Sequence, residues 1–192
     1  MRFWLLLGII YGSFFLWYTD LGGKLNDDEI QSFLNKLEEN GVNESIYNSM
    51  KIFMEQDSGK QFLMVNNIHM SVDPSADEFF RKYNEHMIPE LLSRACHPTF
   101  FGSSVHQAMD IVGIDNAADW DTAVLMRYKS RRAFMEVVSN PELKGKHEFK
   151  IAALEKTIAY PVEPNFYLSD LRIIFGFIFM IFGLLIRPIR QK

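Results

Sequence analysis

Cysteine is almost absent from this chain. Cys96 stands alone, so no internal disulfide can form. A lone thiol survives in reducing and oxidising compartments alike, so it does not fix one. A basic excess is also missing. With 20 Lys and Arg against 24 Asp and Glu, the net charge of −4 leaves no electrostatic footprint for nucleic acid, which is not expected as a partner. No G-x-S-x-G, phosphate loop or G-x-G-x-x-G occurs, so hydrolase, nucleotide and dinucleotide functions lack support. The histidines His69, His86, His97, His106 and His147 show no H-E-x-x-H or comparable zinc spacing. Neither a metal nor another cofactor is expected. Adjacency alone does not make Cys96 and His97 a catalytic pair, and a buried spectator thiol is the plainer reading.

What the chain does have is apolar residues, 48% of the total and unevenly spread. Residues 3–18 form an uncharged run behind Arg2, with Trp4, Trp17 and Tyr18 suited to membrane interfaces. At about 1.5 Å per residue the run is slightly short for a hydrocarbon core of roughly 30 Å. A cleaved signal peptide is the alternative, although no A-x-A-like site follows. Residues 173–186 form a second run, extendable over 168–189 if Asp170 and Arg172 sit at the headgroups; Arg187, Arg190 and Lys192 end it. Gly176 and Gly183 lie seven apart, where Gly8 and Gly12 could meet them. The two runs are read as N-terminal (1–19) and C-terminal (168–189) transmembrane helices. The positive-inside rule then puts both termini in the cytoplasm and the central domain on the periplasmic or extracellular side of a bacterial-type inner membrane. On this reading the membrane is itself a partner.

Between the two runs, residues 20–59 read as a helical lead-in. Asn26 and Glu29 make a capping box before Ile30, Phe33, Leu34 and Leu37, and Asn43 caps a second helix with Ile46, Met50 and Phe53 inward. Residues 60–70 read as a strand. Asp73 and Pro74 open a helix whose buried side holds Phe79, Phe80, Tyr83, Met87 and Leu91. A second strand is expected over 98–107, a loop over 110–118 and a third strand over 122–128. Ser130 caps a short helix, Asn140-Pro141 stops it, and Leu143, His147, Ile151 and Leu154 recur at helical spacing. Residues 157–162 close the series, with Pro161 suiting an edge. From residue 60 to 165 the order is β-α-β-β-α-β, an α+β, ferredoxin-like arrangement.

The stretch RYKSRRAFMEVVSNPE resembles the DUF1330 family in Arg127, Tyr128, Ser130, Arg131, Ala133, Phe134, Ser139, Pro141 and Glu142. Lys129 stands where the family usually has proline. The resemblance implies the dimeric α/β-barrel superfamily, whose ferredoxin-like subunits pair through their sheets, and hence a homodimer. The lead-in helices could instead cap that sheet face. The resemblance supplies a fold rather than an activity.

Several polar residues fall where the fold would bury them, and buried polar groups need partners. Asn66 sits mid-strand, Trp120 opens the third strand, and Arg127 and Tyr128 close it on opposite faces. Asn66, Tyr128, Arg131 and His147 are expected to border a pocket for a small anionic or carbonyl-bearing ligand, with Arg131 holding the charge at a helix start. The competing reading pairs Arg131 with Glu142 or Glu148 at the surface. Two function classes follow: a membrane-tethered small-molecule-binding or structural module, or a monooxygenase- or isomerase-like enzyme using His147 or another histidine as base.

Overall fold

The structure, a computed structural model, describes residues 2–186. The basic residues Arg187, Arg190 and Lys192, on which the orientation rests, lie outside the described residues. The chain divides into two compact units, Gly22–Glu163 and a smaller one built from both chain ends.

The smaller unit pairs α1 (Arg2–Tyr18) with α7 (Leu171–Ile186). Phe14 meets Phe175 edge-on at 4.9 Å, and Tyr11 Oη donates to the Arg172 carbonyl at 2.9 Å. The expected glycine-to-glycine contact does not form. Gly176 packs under Tyr11, a Cβ on Gly183 would collide with the Trp4 ring, and a Cβ added at Gly8 or Gly12 would meet open space.

The transmembrane expectation is overturned here. Among the described residues, no helix is long and apolar enough to cross a membrane. The helices α1 and α7 have 17 and 16 residues, which at 1.5 Å each span about 24–26 Å against a core of roughly 30 Å. The extension of the second run to residue 168 fails for a local reason. Asp170 caps the start of α7 by accepting the Arg172 N–H at 2.9 Å, and its carbonyl accepts from Ile173. It also holds the Arg172 guanidinium at 2.6 Å, so this charge pair closes on itself instead of reaching toward headgroups. The multi-pass inner-membrane placement loses its support, and with it the cytoplasmic termini and the periplasmic domain.

The larger unit holds a four-stranded sheet in the order β2-β3-β1-β4: β1 (Phe62–Met70), β2 (His97–Ser103), β3 (Thr122–Tyr128) and β4 (Leu154–Val162). Every neighbouring pair is antiparallel. Its helices are α2 (Asp27–Glu39), α3 (Glu44–Glu55), α4 (Ala76–Ser93), α5 (Arg131–Val138) and α6 (His147–Ala153). Asn26 and Glu29 close the capping box on α2 at 2.9 and 3.0 Å. Ser130 Oγ accepts the Ala133 N–H at 3.1 Å to start α5. Two helix starts shift from expectation. Asp73 accepts from Ser75 in a turn, so α4 begins only at Ala76. Gly145 at φ +75° separates a 3-10 turn, Pro141–Leu143, from α6, which leaves Leu143 outside that helix.

Register assigns the two sheet faces. Phe62 pairs with Tyr128, and Met64 with Met126, on the side covered by helices. Phe53, Phe62, Tyr128 and Phe134 interlock there at ring separations of 5.0–5.8 Å. Leu34, Leu37 and Met54 of the lead-in helices share this core with Phe134, Met135 and Val137 of α5. They therefore thicken the helical layer and leave the opposite sheet face to Val65, Leu125, Phe100, Ile158 and Tyr160. Phe100, Ile158 and Tyr160 are 51%, 37% and 47% exposed. Cys96 is buried in the core, where desolvation pushes its thiol up.

Candidate functional site

The four expected site residues separate into three places. Tyr128 lies in the aromatic core, stacked on Phe62 at 5.1 Å, and burial pushes its hydroxyl well above the ordinary tyrosine value. Arg131 faces neither Glu142 nor Glu148. Its Nε is 3.6 Å from Asp57, its Nη2 is 3.4 Å from Glu163, its Nη1 donates to the Phe53 carbonyl, and its guanidinium lies 4.6 Å from the centre of the Phe53 ring. Asp57 is buried and accepts the Leu25 and Gly59 N–H groups at 2.9 and 3.0 Å. Arg131 thus joins α3, α5, the turn before β1 and the end of β4.

Asn66 and His147 do approach a common neighbour, Lys150. Asn66 donates to the Met64 carbonyl at 3.0 Å and accepts from Lys150 Nζ at 3.4 Å. His147 starts α6 edge-on to Tyr83, with 6.3 Å between ring centres. Burial, then the Lys150 charge, pushes the imidazole below its ordinary value, and burial alone lowers Lys150. The Tyr83 hydroxyl is pushed up to about 12 by burial. Lys150 went unnoticed in the sequence because it reads as one charge on an amphipathic helix. Its spacing of three from His147 was the available signal.

A partly open cleft lies elsewhere, at the end of β1. It has a volume of about 300 Å³ and is lined by His69, Ser104, His106, Gln107, Asp119, Trp120 and Asp121. Backbone pairing builds it. Asp121 N–H donates to the Ile68 carbonyl at 2.9 Å, and Asp121 Oδ2 accepts the Met70 N–H at 2.7 Å. That fixes Asp121 opposite His69, whose Nδ1 lies 3.1 Å from the same oxygen and whose Nε2 lies 3.9 Å from Glu155. Nδ1 is shut off from water without an aligned hydrogen bond, an arrangement that calls for an explanation in a buried polar atom. The walls are tied down locally. Ser104 Oγ donates to the His106 carbonyl at 2.6 Å, Gln107 Nε2 to Asp119 at 2.8 Å, and Trp120 Nε1 to the Ala117 carbonyl at 2.9 Å. The Lys156 ammonium lies 5.0 Å from the centre of the Trp120 ring and donates to the Asn116 carbonyl at 2.6 Å.

A larger hollow of about 560 Å³ runs along the outer side of α4, between Asp77 and Pro89. One helix alone forms it, with Arg81 and Glu85 paired to each other, so no chemistry converges there. Among the described residues, no group of three His, Cys, Asp or Glu side chains is placed to hold a metal ion.

No family model and no curated protein matches the sequence. Among solved structures, the chain is similar to a protein of unknown function from Rhodopseudomonas palustris, at 16% identity and a TM-score of 0.52, over 65% of this chain and 95% of that one. A methylated form of that protein gives 16%, 0.51, 64% and 91%. At this identity the likeness concerns the fold alone.

Proposed function

We propose that this chain is a small-molecule-binding module whose ligand occupies the cleft of His69, Trp120 and Asp121. The observation that carries the reading is the His69 imidazole, held against Asp121 in a hollow of about 300 Å³ with Nδ1 lacking an aligned partner. Concave sites with a few convergent polar groups are the usual form of such sites. The lining carries the carboxylates of Asp119 and Asp121 and no arginine or lysine. An uncharged carbonyl compound therefore suits it better than an anion. Titrating the protein, labelled with ¹⁵N at histidine, with a fragment set of small uncharged carbonyl compounds tests this. Binders should shift the His69 and His106 signals together and leave His86, out on α4, in place. Shifts confined to other histidines contradict the reading.

A second reading rests on the same geometry. A carboxylate beside Nδ1 is how an imidazole is oriented to act as a general base through Nε2, which supports an enzyme of the carbonyl-directed type. Asp121→Asn should then abolish turnover of a bound fragment while leaving its binding within about threefold, a difference of under 1 kcal/mol.

We also propose that two copies pair through the exposed sheet face of Phe100, Ile158 and Tyr160, in keeping with the R-Y-x-S-R-x-A-F stretch and its DUF1330-like pairing. Contiguous apolar faces of this kind mark association surfaces. Sedimentation equilibrium of the full-length protein should give a dimer, and the Ile158→Glu, Tyr160→Glu double variant a monomer. A wild-type monomer at tens of micromolar contradicts the pairing.

A further inference from the structure

We propose that Lys150 is a carbonyl-capturing amine that forms a Schiff base with small uncharged aldehydes, at a place separate from the His69 cleft. Its Nζ reaches from α6 to the sheet, where its partner is the uncharged Oδ1 of Asn66 at 3.4 Å. Asn66 is itself fixed through its Nδ2 bond to the Met64 carbonyl, so that oxygen is held in place. Among the described residues, no carboxylate lies within ion-pair distance of Lys150. Lys82 and Lys51, by contrast, face Glu78 at 2.6 Å and Glu55 at 3.9 Å. An ammonium that gives up water without gaining a carboxylate is destabilised relative to the free amine, and this is how lysines become nucleophiles. The burial that lowers Lys150 acts in that direction.

The step balances within the residues present. The amine nitrogen attacks the aldehyde carbon, a C–N bond forms, and the carbonyl oxygen takes a proton to give a carbinolamine. The nitrogen then loses its remaining proton as the C–O bond breaks, water leaves, and the imine remains. His147 lies one turn earlier on the same helix. Burial and the Lys150 charge both lower its imidazole, which is placed to carry the proton between nitrogen and departing oxygen. Asn66 is a positioning residue that aims the amine. Tyr83 packs edge-on against His147 beside this amine.

The test needs no identified ligand. The full-length protein is treated briefly with propionaldehyde and sodium cyanoborohydride at neutral pH. Peptide mass mapping then follows propyl labelling at each lysine. A lowered amine has a larger free fraction at neutral pH, so Lys150 should label faster than Lys51 and Lys60 in the same sample. The Lys150→Arg protein should lose that fast label and keep the slow ones. Labelling of Lys150 at or below the rate of Lys51 overturns the proposal.

Discussion

The Arg131→Ala protein should lose about 3–5 kcal/mol of unfolding free energy in urea, because it strands a buried carboxylate. Asp57 has only 2% of its side chain exposed, and Arg131 is its guanidinium partner, itself 14% exposed. The two N–H donors from Leu25 and Gly59 would remain, which puts the expected loss toward the lower end of that range. The substitution also removes the packing of the guanidinium on Phe53. A conservative Arg131→Lys change keeps the charge and loses the fork that spans Asp57, Glu163 and the Phe53 carbonyl, so it should recover only part of the loss. A loss below about 1 kcal/mol would place Arg131 among exposed surface pairs and contradict the clamp described above.

Phe62→Ala should be as damaging, at about 3–5 kcal/mol. Phe62 is 2% exposed and touches three other rings, with Tyr128 stacked nearly parallel at 5.1 Å and Phe53 and Phe134 edge-on at 5.5 and 5.8 Å. These rings come from α3, β1, β3 and α5, so one deletion opens a hole where four elements meet. Phe62→Leu should cost clearly less, since it retains most of the volume. Equal losses for the two substitutions would mean that the site collapses around neither, against the packing seen here.

Residues with a strong local pattern declared their structure in the sequence. Thr122–Tyr128 forms the expected strand, and alternation correctly separated Arg127 from Tyr128. Ser130, Asn26 and Asn43 cap helices as their side chains suggest. The membrane reading failed because apolar composition says how a run prefers to be solvated, not where its helix ends. Asp170 set the start of α7 through a local hydrogen bond, and the aromatic residues of α1 and α7 packed on one another. Arg131 lies apart from the other expected site residues for a related reason. A helix-start arginine is suited to any anion, and the anion it meets, Asp57, lies 74 positions away in sequence. His69 and Asp121 were equally hidden. Only the β1–β3 register, which pairs Ile68 with Thr122, brings them together, and that register could not be read before the pairing was known. Asn66, expected to need partners, finds them in the Met64 carbonyl and Lys150. Lys150 was masked by its ordinary place on an amphipathic helix.

Native mass spectrometry of the full-length protein, purified without harsh exchange and compared with its Trp120→Ala, His69→Ala double variant, tests the cleft most directly. The wild type should carry a small bound mass in a fraction of its molecules, and the variant should carry none while melting within a few degrees of the wild type. The same bound mass at equal occupancy in both proteins would contradict a ligand site at His69 and Trp120.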